Sequence, residues 1–484
     1  MPGTYLYWKG LPLDTGATRL AEPPVWIYHT MRTAGPSPGD YMTTMAVLPG
    51  ANREALARQL QEARVRTLLL IEPLTEEELR AQHDPLMSPI IWDLGHIAHF
   101  EELWLTRNLD GPIEFVEMPG LFNPFEHPRS ERGRLRLPNV RECLEVMDQI
   151  RRRVMERLES ADWDASNPLL QGGYVYNMVL QHEYQHNETM LQTLQLKQGR
   201  HYTTVQRFEP VSRGGGRLAS VSPEDILRFA GGEVEVGTSD RSAAYDNERS
   251  RHTVYLPPFW IDRYPVTNAD YAGFIAAGGY TTRKYWSDAG WAWVAETGAQ
   301  APMYWDWRDG GWHTRSMDRS APVEPSHPVC HVCYHEAEAF ARFTGKRLPT
   351  EFEWEAAASW DASTHTKVTY PWGEQLPSRT IANIDQLSFG TAPVGSYEQN
   401  VSPLGCYGLS GDVWEWTSSD FRPYPGFQSF PYAEYSEAFF GAEYKVLRGG
   451  SWATRPGAVR NTFRNWDYPV RRQIFSGFRC ALDD

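Results

Sequence analysis

The chain has 484 residues, 41% of them hydrophobic, with a formal net charge of −14 at pH 7. That length exceeds what one hydrophobic core can organise, so two or three domains are expected. The acidic balance argues against nucleic acid and anionic membrane surfaces as partners, since both would repel it. No apolar run approaches the roughly 18 residues of a membrane span, and the N-terminus lacks a secretory leader pattern. Five cysteines are too few for a disulfide framework at this size, so a reduced, cytoplasmic protein is expected.

Residues 1–47 are rich in Gly, Pro and Thr without periodicity and read as a poorly ordered extension, with Met42 or Met45 as alternative starts. From 48 to 210 the pattern is helical. "REALARQLQEARVRTLLLIE" (53–72), "PIIWDLGHIAHFEELWLTRNL" (89–109), "NVRECLEVMDQIRRRVMERLES" (139–160) and "YNMVLQHEYQHNETMLQTLQL" (176–196) repeat apolar residues at three- and four-residue spacing. Ser88 and Pro89 suit a cap and first turn. Four such segments predict a four-helix bundle, a fold that builds sites from facing core side chains. Consecutive glycines mark 211–225 as a linker. Beyond it, 226–484 is dense in Gly, Trp, Tyr and Pro, with helical periodicity mainly at 335–345 and 350–359. The expected class is α+β, a bundle followed by a domain with little regular structure. The tryptophan-rich stretch 272–312 lacks a strand pattern and is expected to be a long ordered loop. Cys330 and Cys333 form a lone CxxC in an apparent strand-to-helix turn; with no second pair to complete a zinc site, they are expected to pack.

The fourth helical segment contains "LQHEYQHNETMLQ" (180–192). His182 and His186 lie one turn apart, so both imidazoles can face one ion. The second segment carries His96 and His99, either of which could turn inward. Glu183 and Glu188 lie about 100° and 200° off the histidine face, from the helical repeat. Three neutral histidines with open coordination positions are therefore expected, and spacing does not separate zinc from iron.

"GHIAHFEELW" with "HEYQHNE" resembles the metal-binding bundle of the DinB-like superfamily. "PVTNADYAGF", "GKRLPTEFEWEAAA", "YPWG", "GDVWEWTSS", "RGGSW" and "SGFRCA" resemble the formylglycine-generating-enzyme type of domain, a variant of the C-type lectin fold. In this order, over 48–484, the two resemble the ergothioneine-biosynthesis sulfoxide synthase family. That resemblance implies a non-haem Fe(II) enzyme that uses dioxygen to join a thiol to the imidazole C2 of hercynine, giving a sulfoxide. It implies His96, His182 and His186 as iron ligands, and Gln185 as reaching the hercynine imidazole through water. Asn465 and Trp466 would hold the betaine end of hercynine, and Asp467 and Arg471 the zwitterionic end of the thiol. Tyr432 would deliver a proton and Tyr435 contact the imidazole, with Tyr424 as a competing candidate. "HPRSERGRLRLP" (127–138) is either a solvated basic loop or, through Arg129 and Arg132 with Arg134 as an alternative, a site for the carboxylates of γ-glutamylcysteine. A monomer acting on hercynine, γ-glutamylcysteine and O2 is expected. The rivals are free cysteine as thiol and a zinc-dependent thiol transferase of the DinB-like superfamily. Formylglycine generation would need a cysteine pair after "RGGSW", where 453–484 contains only Cys480, and a non-catalytic binding module would leave the three histidines without a purpose.

Overall fold

A computed structural model describes residues 53–109, 120–163, 166–204 and 225–484. The expected N-terminal extension, and the linker up to its last residue, lie outside these. The first part is helical: α1 (Arg53–Ile71), a short α2 (Glu76–Arg80), α3 (Ile90–Leu105), α4 (Val140–Ser160) and α5 (Tyr174–Leu196). The starts follow local chemistry. Thr75 and Asn139 each close a capping box with a glutamate three residues on. Gly172 and Gly173, at φ 60° and 73°, make the left-handed turn into α5. Ser88, expected to cap α3, does not: Pro89 occupies that position without a side-chain bond, and the Ser88 hydroxyl accepts from Arg132 Nη1 at 2.8 Å. Leu60, Leu70, Ile91, Leu94, Met147, Val154, Met190 and Leu191 fill the bundle core.

The C-terminal part contains β1 (Ile226–Phe229), β2 (Gly232–Val236), β3 (His252–Leu256), β4 (Phe259–Asp262), α6 (Asn268–Ala276), α7 (Asp288–Thr297), β5 (Trp305–Arg308), β6 (Gly311–Ser316), β7 (Arg319–Pro322), α8 (Tyr334–Phe343), α9 (Glu351–Ser359), β8 (Trp360–Asp361), β9 (Thr366–Lys367), β10 (Trp414–Phe421), β11 (Gly441–Arg448), β12 (Asn465–Asp467), β13 (Ser476–Gly477) and β14 (Ala481–Asp483). Strands β1, β4 and β14 form an antiparallel sheet that brings the start and end of this part together. A second sheet runs in the order β12-β11-β10-β13. Two expectations fail here. Residues 272–312 are not a loop: Ser287 caps α7, and β5 to β7 form a meander that 305–322 spans. Cys330–Cys333 do not follow a strand, and Cys333 is itself the cap position of α8. All five cysteines are free. No helix among the described residues is long and apolar enough to cross a membrane.

The two parts share buried polar contacts. Glu188 of α5 accepts from Trp414 Nε1 at 2.7 Å, Ser451 Oγ at 2.8 Å and Thr454 Oγ1 at 2.8 Å. Arg455 joins Glu62 of α1 at 2.5 Å and Asp385 at 2.6 Å. Arg66 of α1 donates to the Asp385 carbonyl at 2.8 Å.

Candidate metal centre and its pocket

Helices α3 and α5 pack side by side and bring three imidazoles together. His96, His182 and His186 place ring nitrogens within 4.8 Å of one another. His96 Nε2 and His182 Nε2 are 3.1 Å apart, close enough for both to reach one ion about 2.0–2.1 Å from each nitrogen. His96 Nδ1 lies 2.8 Å from the Phe122 carbonyl, which fixes the tautomer with Nε2 turned to its neighbours. Burial, then the neighbouring histidines, holds the His96 and His182 pKa values well below the ordinary imidazole value. Both are therefore neutral, as ligation requires. Phe100 stacks on His182 at 3.7 Å and Trp92 on His96 at 4.9 Å, so the rings have little freedom to turn. The nitrogen-only donor set fits iron(II) or zinc(II). Glu183 and Glu188 are both committed elsewhere, to Arg64 and Arg151 and to Trp414 respectively. His99 lines the same cavity without joining the set.

The histidines open into a cavity of about 880 Å³ between the bundle and the C-terminal part. Gln185, Arg129, Arg132, Tyr432, Tyr435, Asn465, Trp466, Asp467 and Arg471 also line it. The edge strand β12 presents Asn465, Trp466 and Asp467 while pairing with Leu447, Val446 and Lys445 of β11. Trp466 stacks face to face on Phe421 at 4.2 Å, and Tyr435 meets it edge-on at 5.8 Å. Gln185 Nε2 donates to Tyr435 Oη at 3.2 Å and to Tyr245 Oη at 3.1 Å. Arg471 Nε lies 3.4 Å from Asp467 Oδ1. Burial raises the Asp467 carboxyl above its ordinary pKa, against the pull of Arg471 and Arg129. Burial likewise raises the Tyr432 and Tyr435 phenols well above theirs.

Two candidates are placed differently. Tyr424 is 3% exposed and packed in the hydrophobic core, its hydroxyl 3.3 Å from Glu351 and its ring 4.0 Å from the Arg464 guanidinium. Arg132 lines the cavity, but it lies over the Trp92 ring at 3.6 Å. It also donates to His127 O at 2.9 Å, Ser88 Oγ at 2.8 Å and Pro124 O at 3.3 Å. Three of its five N–H groups are thus engaged in holding the loop.

Comparison with known proteins accounts for this combination. The chain is 43% identical to a hercynine oxygenase of Mycolicibacterium thermoresistibile, over 91% of this chain and 97% of that protein. It is 42% identical to a hercynine oxygenase of Mycobacterium tuberculosis, over 89% and 99%. The chain belongs to the hercynine oxygenase family. It is an oxidoreductase of the oxygenase kind. Residues 59–190 match the DinB superfamily profile, and 216–484 match that of the sulfatase-modifying factor enzyme 1-like domain. The C-terminal part alone is 35% identical to a formylglycine-generating enzyme of Streptomyces coelicolor, which covers 53% of this chain and 88% of that protein.

Sequence spacing left two site residues unseen. Tyr245, which stacks on Tyr435 at 4.2 Å, is far from it in sequence and belongs to no motif. Asp93 faces His186, with Oδ1 3.2 Å from Nδ1. It lies three residues before His96, a helical spacing that places the two on neighbouring faces.

Proposed function

We propose that the chain is a non-haem iron(II)-dependent oxygenase that joins γ-glutamylcysteine to the imidazole C2 of hercynine, giving a sulfoxide in ergothioneine biosynthesis. The observation that carries this is the trio His96, His182 and His186, three ring nitrogens within 4.8 Å in the wall of the one cavity that Tyr432, Trp466 and Asp467 also line. The hercynine oxygenases among its relatives supply the imidazole substrate.

The three histidines would hold iron(II), which supplies the redox chemistry that side chains lack. The balance of the reaction breaks the thiol S–H and the imidazole C2–H and forms C–S and S–O bonds. One oxygen atom of O2 enters the product, and the other leaves as water with the two hydrogens. The protein positions the reactants. Trp466, backed by Phe421, offers a π face to the trimethylammonium group, and Asn465 holds the carboxylate beside it. Asp467 takes the thiol substrate's ammonium and Arg471 its carboxylate, each leaving the other to do so. Arg129 adds a cation for the γ-glutamyl end. Gln185 fixes the Tyr435 hydroxyl toward the imidazole. Tyr432 keeps its proton, because burial raises its pKa, and so can deliver it from Oη.

Free cysteine is the second reading for the thiol, and the engagement of Arg132 favours it, since that leaves Arg129 as the less encumbered loop cation. Steady-state kinetics with both thiols at saturating hercynine and oxygen distinguish them. A higher kcat/KM for cysteine removes γ-glutamylcysteine as the substrate. Metal analysis of anaerobically purified protein tests the reaction class. Stoichiometric iron with oxygen-dependent turnover is expected, whereas tight zinc with oxygen-independent activity means a thiol transferase.

A further inference from the structure

The bundle core treats its buried carboxylates unequally. Glu101 and Glu183 are each paired with both Arg64 and Arg151, at 2.5 to 2.9 Å. Asp93 is as deeply buried, 1% exposed, yet its ion-pairing neighbour among the described residues is the imidazole of His186, with Oδ1 3.2 Å from Nδ1. Its Oδ2 accepts no hydrogen bond among the described residues. The Arg132 guanidinium acts on Asp93 electrostatically but forms no ion pair with it among the described residues, and a buried carboxylate normally requires a directly paired cation. The place of Asp93 in the first turn of α3 helps, but that field is weak. An ion on the far side of the imidazole would complete the pairing, because the ring transmits the ion's charge to its Nδ1–H.

The three ligand rings also differ in what stands behind them. His96 Nδ1 meets a carbonyl at hydrogen-bond distance. Neither His182 Nδ1 nor His186 Nδ1 makes a hydrogen bond among the described residues, but His186 Nδ1 has the Asp93 carboxylate 3.2 Å away. We propose that Asp93 is a positioning residue for the metal: it holds His186 with Nε2 toward the ion and makes it the strongest donor of the three. This rests on the metal centre proposed above. A carboxylate behind an imidazole pushes electron density onto the ligating nitrogen, which strengthens the bond and favours the oxidised metal.

The test uses the full chain loaded anaerobically with Fe(II), and separately with Co(II), in competition with a chelator. Asp93→Asn is expected to weaken both metals roughly 10- to 100-fold and to move the iron couple to a more positive potential. Asp93→Glu, which keeps the charge, should restore part of both. Unchanged affinity and potential in Asp93→Asn overturn the assignment. So does a loss of affinity with an unmoved potential that Asp93→Glu does not recover, because that is the mark of a purely structural residue. If Asp93→Asn does not fold, Asp93→Ser and Asp93→Glu carry the same comparison. Wild-type protein that binds Co(II) tightly in an Asp93-dependent way, yet converts no hercynine when loaded with iron, sinks the oxygenase substrate and leaves Asp93 standing.

Discussion

Tyr432 projects into the cavity with its ring 5.0 Å from Trp104 and 6.1 Å from Phe100, and its hydroxyl makes no hydrogen bond among the described residues. Removing that hydroxyl therefore costs the fold little. Tyr432→Phe should keep consuming thiol and oxygen while forming less sulfoxide and more sulfinic acid, read by mass spectrometry of the products. An unchanged ratio assigns the proton to water, since Tyr424 is buried in the core. His182→Ala should lose stoichiometric metal while the far-UV circular dichroism stays as in the wild type. Retained metal in that variant removes His182 from the ligand set. At this scale the sequence was most informative where chemistry repeats at helical spacing, as in His182 and His186. It was silent about Asp93 and Tyr245, whose partners are set by packing across distant segments.

The helices were legible because the 3.6-residue repeat of apolar positions is a long signal. The four predicted segments match α1, α3, α4 and α5 to within three residues at the starts, and α3 ends at Leu105 rather than 109. The meander of β5 to β7 was not legible. Its strands are 4 to 6 residues long and largely solvent-facing, so no alternation of apolar and polar residues marks them. The bundle also hides an ionic core in an apolar pattern, with Glu183 of α5 between Arg64 and Arg151. Burial alone would raise the Glu183 pKa, but the two guanidiniums more than offset it and hold it at about 2, against an ordinary value near 4.5. A depressed folded-state pKa contributes stability above the unfolded value and loses it as pH falls through the folded one. Glu183→Gln should therefore cost about 3–5 kcal/mol near neutrality, as for a broken buried pair. Thermal melts should show the gap between variant and wild type narrowing as the pH drops from about 4.5 toward 2. A gap independent of pH would mean that the carboxylate's charge contributes nothing.

Across the whole molecule, the bundle and the C-terminal part hold one another through Glu188, Arg455 and Arg66. The motifs "GDVWEWTSS" and "RGGSW" supply Trp414 and Ser451 to Glu188, a role that their sequence pattern does not announce. Because the contacts are buried, calorimetry should give one cooperative transition, and Glu188→Ala should lower its midpoint. Two resolved transitions in the wild type would contradict that coupling. The shared cavity is the functional consequence: the histidines come from the bundle and the groups opposite them from β12 and its neighbours. The most direct test is product analysis under 18O2, with iron-loaded protein, hercynine and γ-glutamylcysteine. The predicted product has the summed mass of both substrates less two hydrogens plus one labelled oxygen atom. An unoxygenated thioether, or product formed equally well without dioxygen, would contradict it.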